Sequence, residues 1–148
     1  MTSQASSNLD PTVPGRIRWG RIVGGGVLLE VLLFAVLTPV GQVFGSPFTA
    51  GSTDSTVFLV AVPAACFVGA AIVSGWLFRH VTDRPVLQGT LLGAVATALY
   101  LLICLGAPGG LSGVIAGYGM LHFWGTQALR VVGGAVGAAY RPSVRTAG

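Results

Sequence analysis

Four long apolar runs, at about 22–44, 56–78, 86–105 and 111–136, leave almost no polar surface between them. Each is long enough for the roughly 20 helical residues that cross a bilayer's hydrocarbon core. With no water in that core, every backbone N–H and C=O must be satisfied inside its own segment, and a helix does this. The runs therefore predict an all-α fold: an integral membrane four-helix bundle. Composition points the same way. Only 8% of the residues are charged and 53% are hydrophobic, whereas a soluble domain carries about 25% charged residues.

The flanks divide the chain simply. Residues 1–15 are polar and lack apolar periodicity, which predicts a disordered tail. Residues 16–141 form the predicted four-span domain, and 142–148 a second short tail. GAPGG at 106–110 is a run of helix breakers and reads as a tight turn. Pro85 suits the first position of a helix, where its missing N–H costs nothing.

Charge sets the expected orientation. All eight cations are Arg. They lie in the N-terminal flank, in the linker between the second and third runs, inside the fourth run and in the C-terminal flank. The linkers after the first and third runs have none. Arginine-rich flanks stay in the cytoplasm, so both termini are expected to be cytoplasmic. The expected location is a plasma membrane, the inner membrane in a bacterium, in a multi-pass arrangement. The arginines flank apolar runs and do not form a patch interleaved with aromatics, which argues against nucleic acid as a partner. The bilayer is the expected partner, together with a second copy of the chain or a larger membrane complex.

Lipid offers no hydrophobic drive between helices, so small residues that permit close backbone approach carry the packing. Gly24 in the first run, Gly69 in the second, Gly89 and Gly93 in the third, and Gly113 and Gly117 in the fourth stand in four-residue series of small residues. They are the expected contact points. Cys66 and Cys104 lie inside apolar runs and show no metal or redox spacing, so both read as packing residues. No cofactor or metal is expected.

The polar residues inside the runs are the candidate site. Glu30 sits near the middle of the first span, where a carboxylate costs roughly 2.5–3.5 kcal/mol to insert. It must find a partner or a proton. Tyr118, His122 and Arg130 fall, with Thr126, at four-residue steps along the fourth run, and Gln127 lies beside that row. Counted at 1.5 Å per residue from the outer face, Glu30 lies roughly 21 Å deep, His122 roughly 17 Å and Arg130 roughly 28 Å. On that count the first and fourth helices are neighbours, joined through Glu30. His122 is nearly level with Glu30, and Arg130 is lower but long, so either can be its partner; Arg130 can instead snorkel to the cytoplasmic interface. Residues 131–140 then overshoot the membrane.

Residues 24–31, Gly-Gly-Gly-Val-Leu-Leu-Glu-Val, resemble the first helix of the small multidrug resistance transporters. Those proteins also have four helices and carry a proton- and drug-binding Glu in the first span. The resemblance covers these eight residues, and it implies a coupling role for Glu30.

No catalytic constellation emerges. His80 and Asp83 lie on a linker, away from His122. The expected function is non-enzymatic: an interaction, assembly or accessory subunit. The alternative is a small proton- or ion-coupled transporter, acting as a homo-oligomer with Glu30 as its coupling residue.

Overall fold

The computed structural model describes residues 17–44, 56–107 and 109–140. The tails at 1–15 and 142–148, the 45–55 loop and Arg141 lie outside the described residues. The described chain is helical throughout, with five helices: α1 (Trp19–Phe44), α2 (Thr56–Phe78), α3 (Pro85–Leu105), α4 (Gly110–Tyr118) and α5 (Met120–Ala139).

The first three helices are long and apolar enough to cross a membrane. Of the most apolar stretch in each, only 33%, 28% and 28% of the residues are buried. Val31, Val60, Ile72 and Leu102 point their side chains outward instead. A soluble protein hides such residues; a helix facing hydrocarbon displays them. Pro39 and Pro63 sit inside α1 and α2.

Helices α2 and α3 each pack against both α1 and α5. Helices α1 and α5 thus stand diagonally opposite, without substantial backbone contact. The tightest seams run along α5. A Cβ on Gly133 would strike the Phe67 carbonyl of α2, and one on Gly137 the Ala71 carbonyl. On the other side Gly134 lies against Gly89 of α3, and Gly93 lies against the backbone of Arg130 and Val131. The Ser74 hydroxyl donates a buried 2.8 Å hydrogen bond to the Gly134 carbonyl. Close glycine contacts place backbones near enough for such a bond.

The fourth run differs from the single span expected over 111–136. It is two helices, broken at Gly119, whose φ of 80° and ψ of 140° suit glycine and strain any residue with a Cβ. The α3–α5 pairs Gly89–Gly134, Gly93–Arg130 and Tyr100–Phe123 keep one antiparallel register. On that register Gly119 stands level with Cys104, beside the end of α3. Both ends of α4 are therefore near that end of the molecule, and α4 lies across it, with Val114 packed against Cys104 and Phe123. The 20 residues of α5 span about 30 Å, close to the hydrocarbon thickness of about 30 Å.

On this register the helix continues past Arg130 to Ala139. Residues 131–139 run alongside α2 and α3, seated on Phe67, Ala71 and Gly89.

Arg18, Arg21, Arg79 and Arg84 gather at one end, where α1 and α3 begin and α2 stops. There Arg21 Nη1 approaches the Leu77 carbonyl at 3.5 Å. Gln88, buried in the first turn of α3, donates from Nε2 to the Asp83 carbonyl at 3.0 Å and ties down the linker.

Candidate functional site: a buried ion pair beside a cavity

Arg130 is the centre of the site. In a helix the Cα–Cβ bond tilts toward the N-terminus, and the N-terminus of α5 is at the end away from the arginine cluster. The guanidinium therefore extends from the level of Gly93 toward Tyr100, deeper into the molecule. Of the two partners expected for Glu30, His122 and Arg130, this direction favours Arg130.

Three helices meet that guanidinium. Nη1 donates to Glu30 Oε1 of α1 at 2.6 Å, with the two side chains 3% and 6% exposed. Nε donates to Cys66 Sγ of α2 at 3.3 Å. Cζ stands 4.4 Å from the centroid of the Tyr100 ring of α3. One side chain on α5 thus ties all three long apolar helices. A carboxylate and a guanidinium so deeply buried are each costly alone, and they are tolerable together.

The remaining residues of the predicted polar row do not join this pair. His122 stacks on Tyr118, with ring centroids 5.8 Å apart and planes at 10°. Its Nε2 is buried and has no partner. Two turns of helix separate it from Arg130, so it does not bridge to Glu30. The Thr126 hydroxyl turns back to donate to the His122 carbonyl at 2.8 Å, a common way to place a hydroxyl inside an apolar helix. Gln127 is buried, and its Oε1 has no partner. Glu30 keeps a second oxygen, Oε2, equally without one.

A cavity of about 270 Å³ lies beside the pair. Glu30, Arg130 and Gln127 line it together with Tyr100, Tyr118, Phe123 and the half of α1 that includes Phe34 and Leu37. It exists because α1 and α5 do not pack directly, which leaves a gap that their side chains only partly fill.

The predicted packing glycines divide. Gly89 and Gly93 form the α3 side of the α5 seam, and Gly69 faces Leu29 of α1, where a Cβ would stand 3.1 Å from Cδ1. Gly24 is exposed, with nothing within 4 Å of a Cβ added there. Gly117 is exposed and Gly113 half-buried. On α1 the close approaches are made by Gly25, against Leu92 and Leu77, and by Gly26, against Val95 and Ala96.

Compared with known proteins, the chain matches no family model, no curated protein and no solved structure.

Tyr100 and Cys66 are the site residues that the sequence reading passed over. Tyr100 is the lone aromatic of α3, and a polar-tipped ring within an apolar run was the available signal. Cys66 looked like any small apolar residue, and nothing in its neighbours pointed to a guanidinium.

Proposed function

We propose that the chain is a small, non-enzymatic multi-pass membrane protein that serves as an interaction, assembly or accessory subunit. In this reading α5 is the fourth crossing and α4 lies at the outer surface. Four crossings return the chain to the side where it started. The cluster of Arg18, Arg21, Arg79 and Arg84 supports the cytoplasm as that side and a plasma membrane as the location.

The observation that carries this reading is the use made of Arg130. Its contacts to Glu30, Cys66 and Tyr100 are structural ties between helices. Polar pairs inside small bundles serve as such glue. The described linker 79–84 is too short to build a catalytic site beside it. The test is purification in mild detergent after chemical cross-linking in the native membrane. Recovery of one defined membrane partner in fixed ratio supports the reading. A monodisperse monomer with no cross-linked species removes it.

A second reading, transport coupled to a proton or an ion, is favoured by one feature. The cavity reaches Glu30, and Oε2 is free of partners. Proteoliposomes holding the chain should then show a solute flux that responds to a pH gradient and that Glu30→Gln abolishes. Flux unchanged by that substitution counts against the reading.

A further inference from the structure

The cavity beside the ion pair has walls and a floor of different chemistry, and the two together define an occupant. We infer that it binds a neutral, hydrogen-bond-donating aromatic or amphiphilic molecule that reaches it from the bilayer.

Size comes first. A cavity of about 150 Å³ lined by aliphatic and aromatic side chains holds benzene. This one measures about 270 Å³, room for a second fused ring. The walls are apolar and aromatic: Phe34 and Leu37 from α1, with Tyr118 and Phe123 opposite. Water needs two to four polar partners to settle in a cavity. Those walls supply few of them above the floor, so an organic occupant suits the upper part better than a water cluster.

The floor decides the charge and polarity. Glu30 Oε1 is already held by Arg130 at 2.6 Å, so the pair as a whole is neutral. A cationic ligand would have to share a carboxylate that the guanidinium occupies. The Tyr100 face that could offer a cation–π contact is also taken, by Arg130 at 4.4 Å. An anion would meet Glu30. Either charge would be buried without a counter-ion of its own, which a low-dielectric site penalises heavily. A neutral ligand avoids that penalty.

Two acceptors on the floor lack a donor. Glu30 Oε2 and Gln127 Oε1 are both acceptors without partners, on residues that are each 5% exposed and that line the cavity. The Arg130 groups Nε and Nη1 are engaged by Cys66 and Glu30. The complementary ligand therefore carries a hydroxyl or an amide N–H on an apolar body. Entry is through the gap between α1 and α5, where Phe34 is 45% exposed toward the surroundings. A molecule dissolved in the hydrocarbon meets that gap directly.

The test uses the full chain in phosphatidylcholine nanodiscs and three probes: 2-naphthol, naphthalene and 2-naphthylmethylammonium. Affinity is read from the rise in melting temperature, followed by far-ultraviolet ellipticity. The expected result is that 2-naphthol binds about tenfold more tightly than either of the others, the worth of one hydrogen bond to a buried acceptor. Gln127→Leu removes one acceptor without touching the ion pair and should weaken 2-naphthol about tenfold while leaving naphthalene unchanged. Leu37→Trp fills the cavity from its wall and should abolish the effect of every probe. Tightest binding of the ammonium overturns the inference of a neutral ligand. Equal binding of naphthalene and 2-naphthol, unaffected by Gln127→Leu, overturns the role of the floor. A probe effect that survives Leu37→Trp overturns the site. Melting of each variant without a probe shows that it is folded, so loss of binding is read apart from loss of structure.

Discussion

Removing the two halves of the Glu30–Arg130 pair should have unequal consequences, and the inequality follows from the contacts. Arg130→Met leaves the Glu30 carboxylate buried with no partner on either oxygen, since Oε2 already lacks one. Stranding one member of a buried ion pair costs about 3–5 kcal/mol. Glu30→Gln is milder. The guanidinium keeps Cys66 and the Tyr100 face, and the new amide oxygen can still accept from Nη1. A loss of about 1–3 kcal/mol is expected, the range for weakening a charge-assisted bond. In E30Q/R130M no charge is stranded, and the penalty is that of one poorly paired amide, again about 1–3 kcal/mol. The double-mutant cycle should then show a coupling of about 4 kcal/mol. The measurement is reversible unfolding in mixed micelles titrated with a denaturing detergent, followed by tryptophan fluorescence. Additive losses within about 0.5 kcal/mol would refute the pairing. A larger loss for Glu30→Gln than for Arg130→Met would refute the supporting role given to Cys66 and Tyr100.

Five further outcomes are expected, the first four from the same unfolding assay. Gly93→Ala sets a Cβ 2.6 Å from the Arg130 carbonyl oxygen and 2.7 Å from Val131 Cα, so it should cost about 1–3 kcal/mol by forcing α3 from α5. Gly24→Ala meets nothing within 4 Å and should stay within about 0.5 kcal/mol of the parent. Ser74→Ala deletes the buried bond to the Gly134 carbonyl and should cost about 1 kcal/mol, whereas a neutral result would mean that glycine contact alone sets the α2–α5 seam. Gly119→Ala puts a Cβ on a backbone with φ 80° and ψ 140° and should cost about 1–3 kcal/mol; no change would mean that the break can relax into a continuous helix. Finally, α5 tested alone as a membrane-insertion segment should insert poorly, and Arg130→Leu should restore insertion by about 2.5–3.5 kcal/mol; efficient insertion of the unaltered segment would contradict its dependence on α1–α3.

The first three helices were legible because lipid imposes a rule that depends on composition alone. A run of about 20 apolar residues must satisfy its own backbone, and a helix is the way to do it. Trp19–Phe44, Thr56–Phe78 and Pro85–Leu105 follow from that rule and from the breakers around them. The break at Gly119 was not legible. The chain has 23 glycines, and most of those in the described helices sit there with ordinary helical backbone, as Gly89 and Gly93 do. Glycine identity cannot say which one will take a positive φ; that depends on where the chain must turn to let α5 descend between α2 and α3. The same abundance hid which glycines make the seams, since Gly24 and Gly25 differ only in the face of α1 on which they fall.

The site was legible in its charged members and illegible in their pairing, for a related reason. A polar side chain in hydrocarbon announces itself by its cost, so Glu30, Arg130 and Gln127 could be picked out without coordinates. Which of them meet depends on helix direction and register. Read as one straight helix from Leu111, the fourth run puts His122 level with Glu30 and Arg130 lower on a long side chain, which leaves the partner open between them. Once the helix is broken at Gly119, α5 slides along α3 until Gly134 finds Gly89, and the tilt of Cβ toward the α5 N-terminus carries Arg130 back to Glu30. The glycine seam thus sets the register, and the register selects the ion-pair partner. That order matters physically. α5 bears His122, Gln127 and Arg130 and is not among the helices apolar enough to cross on their own account. As the fourth crossing that we propose, it becomes compatible with hydrocarbon only when α2 and α3 accept its glycines and α1 supplies Glu30, so its costliest residue is also the one that makes its position in the assembly unique.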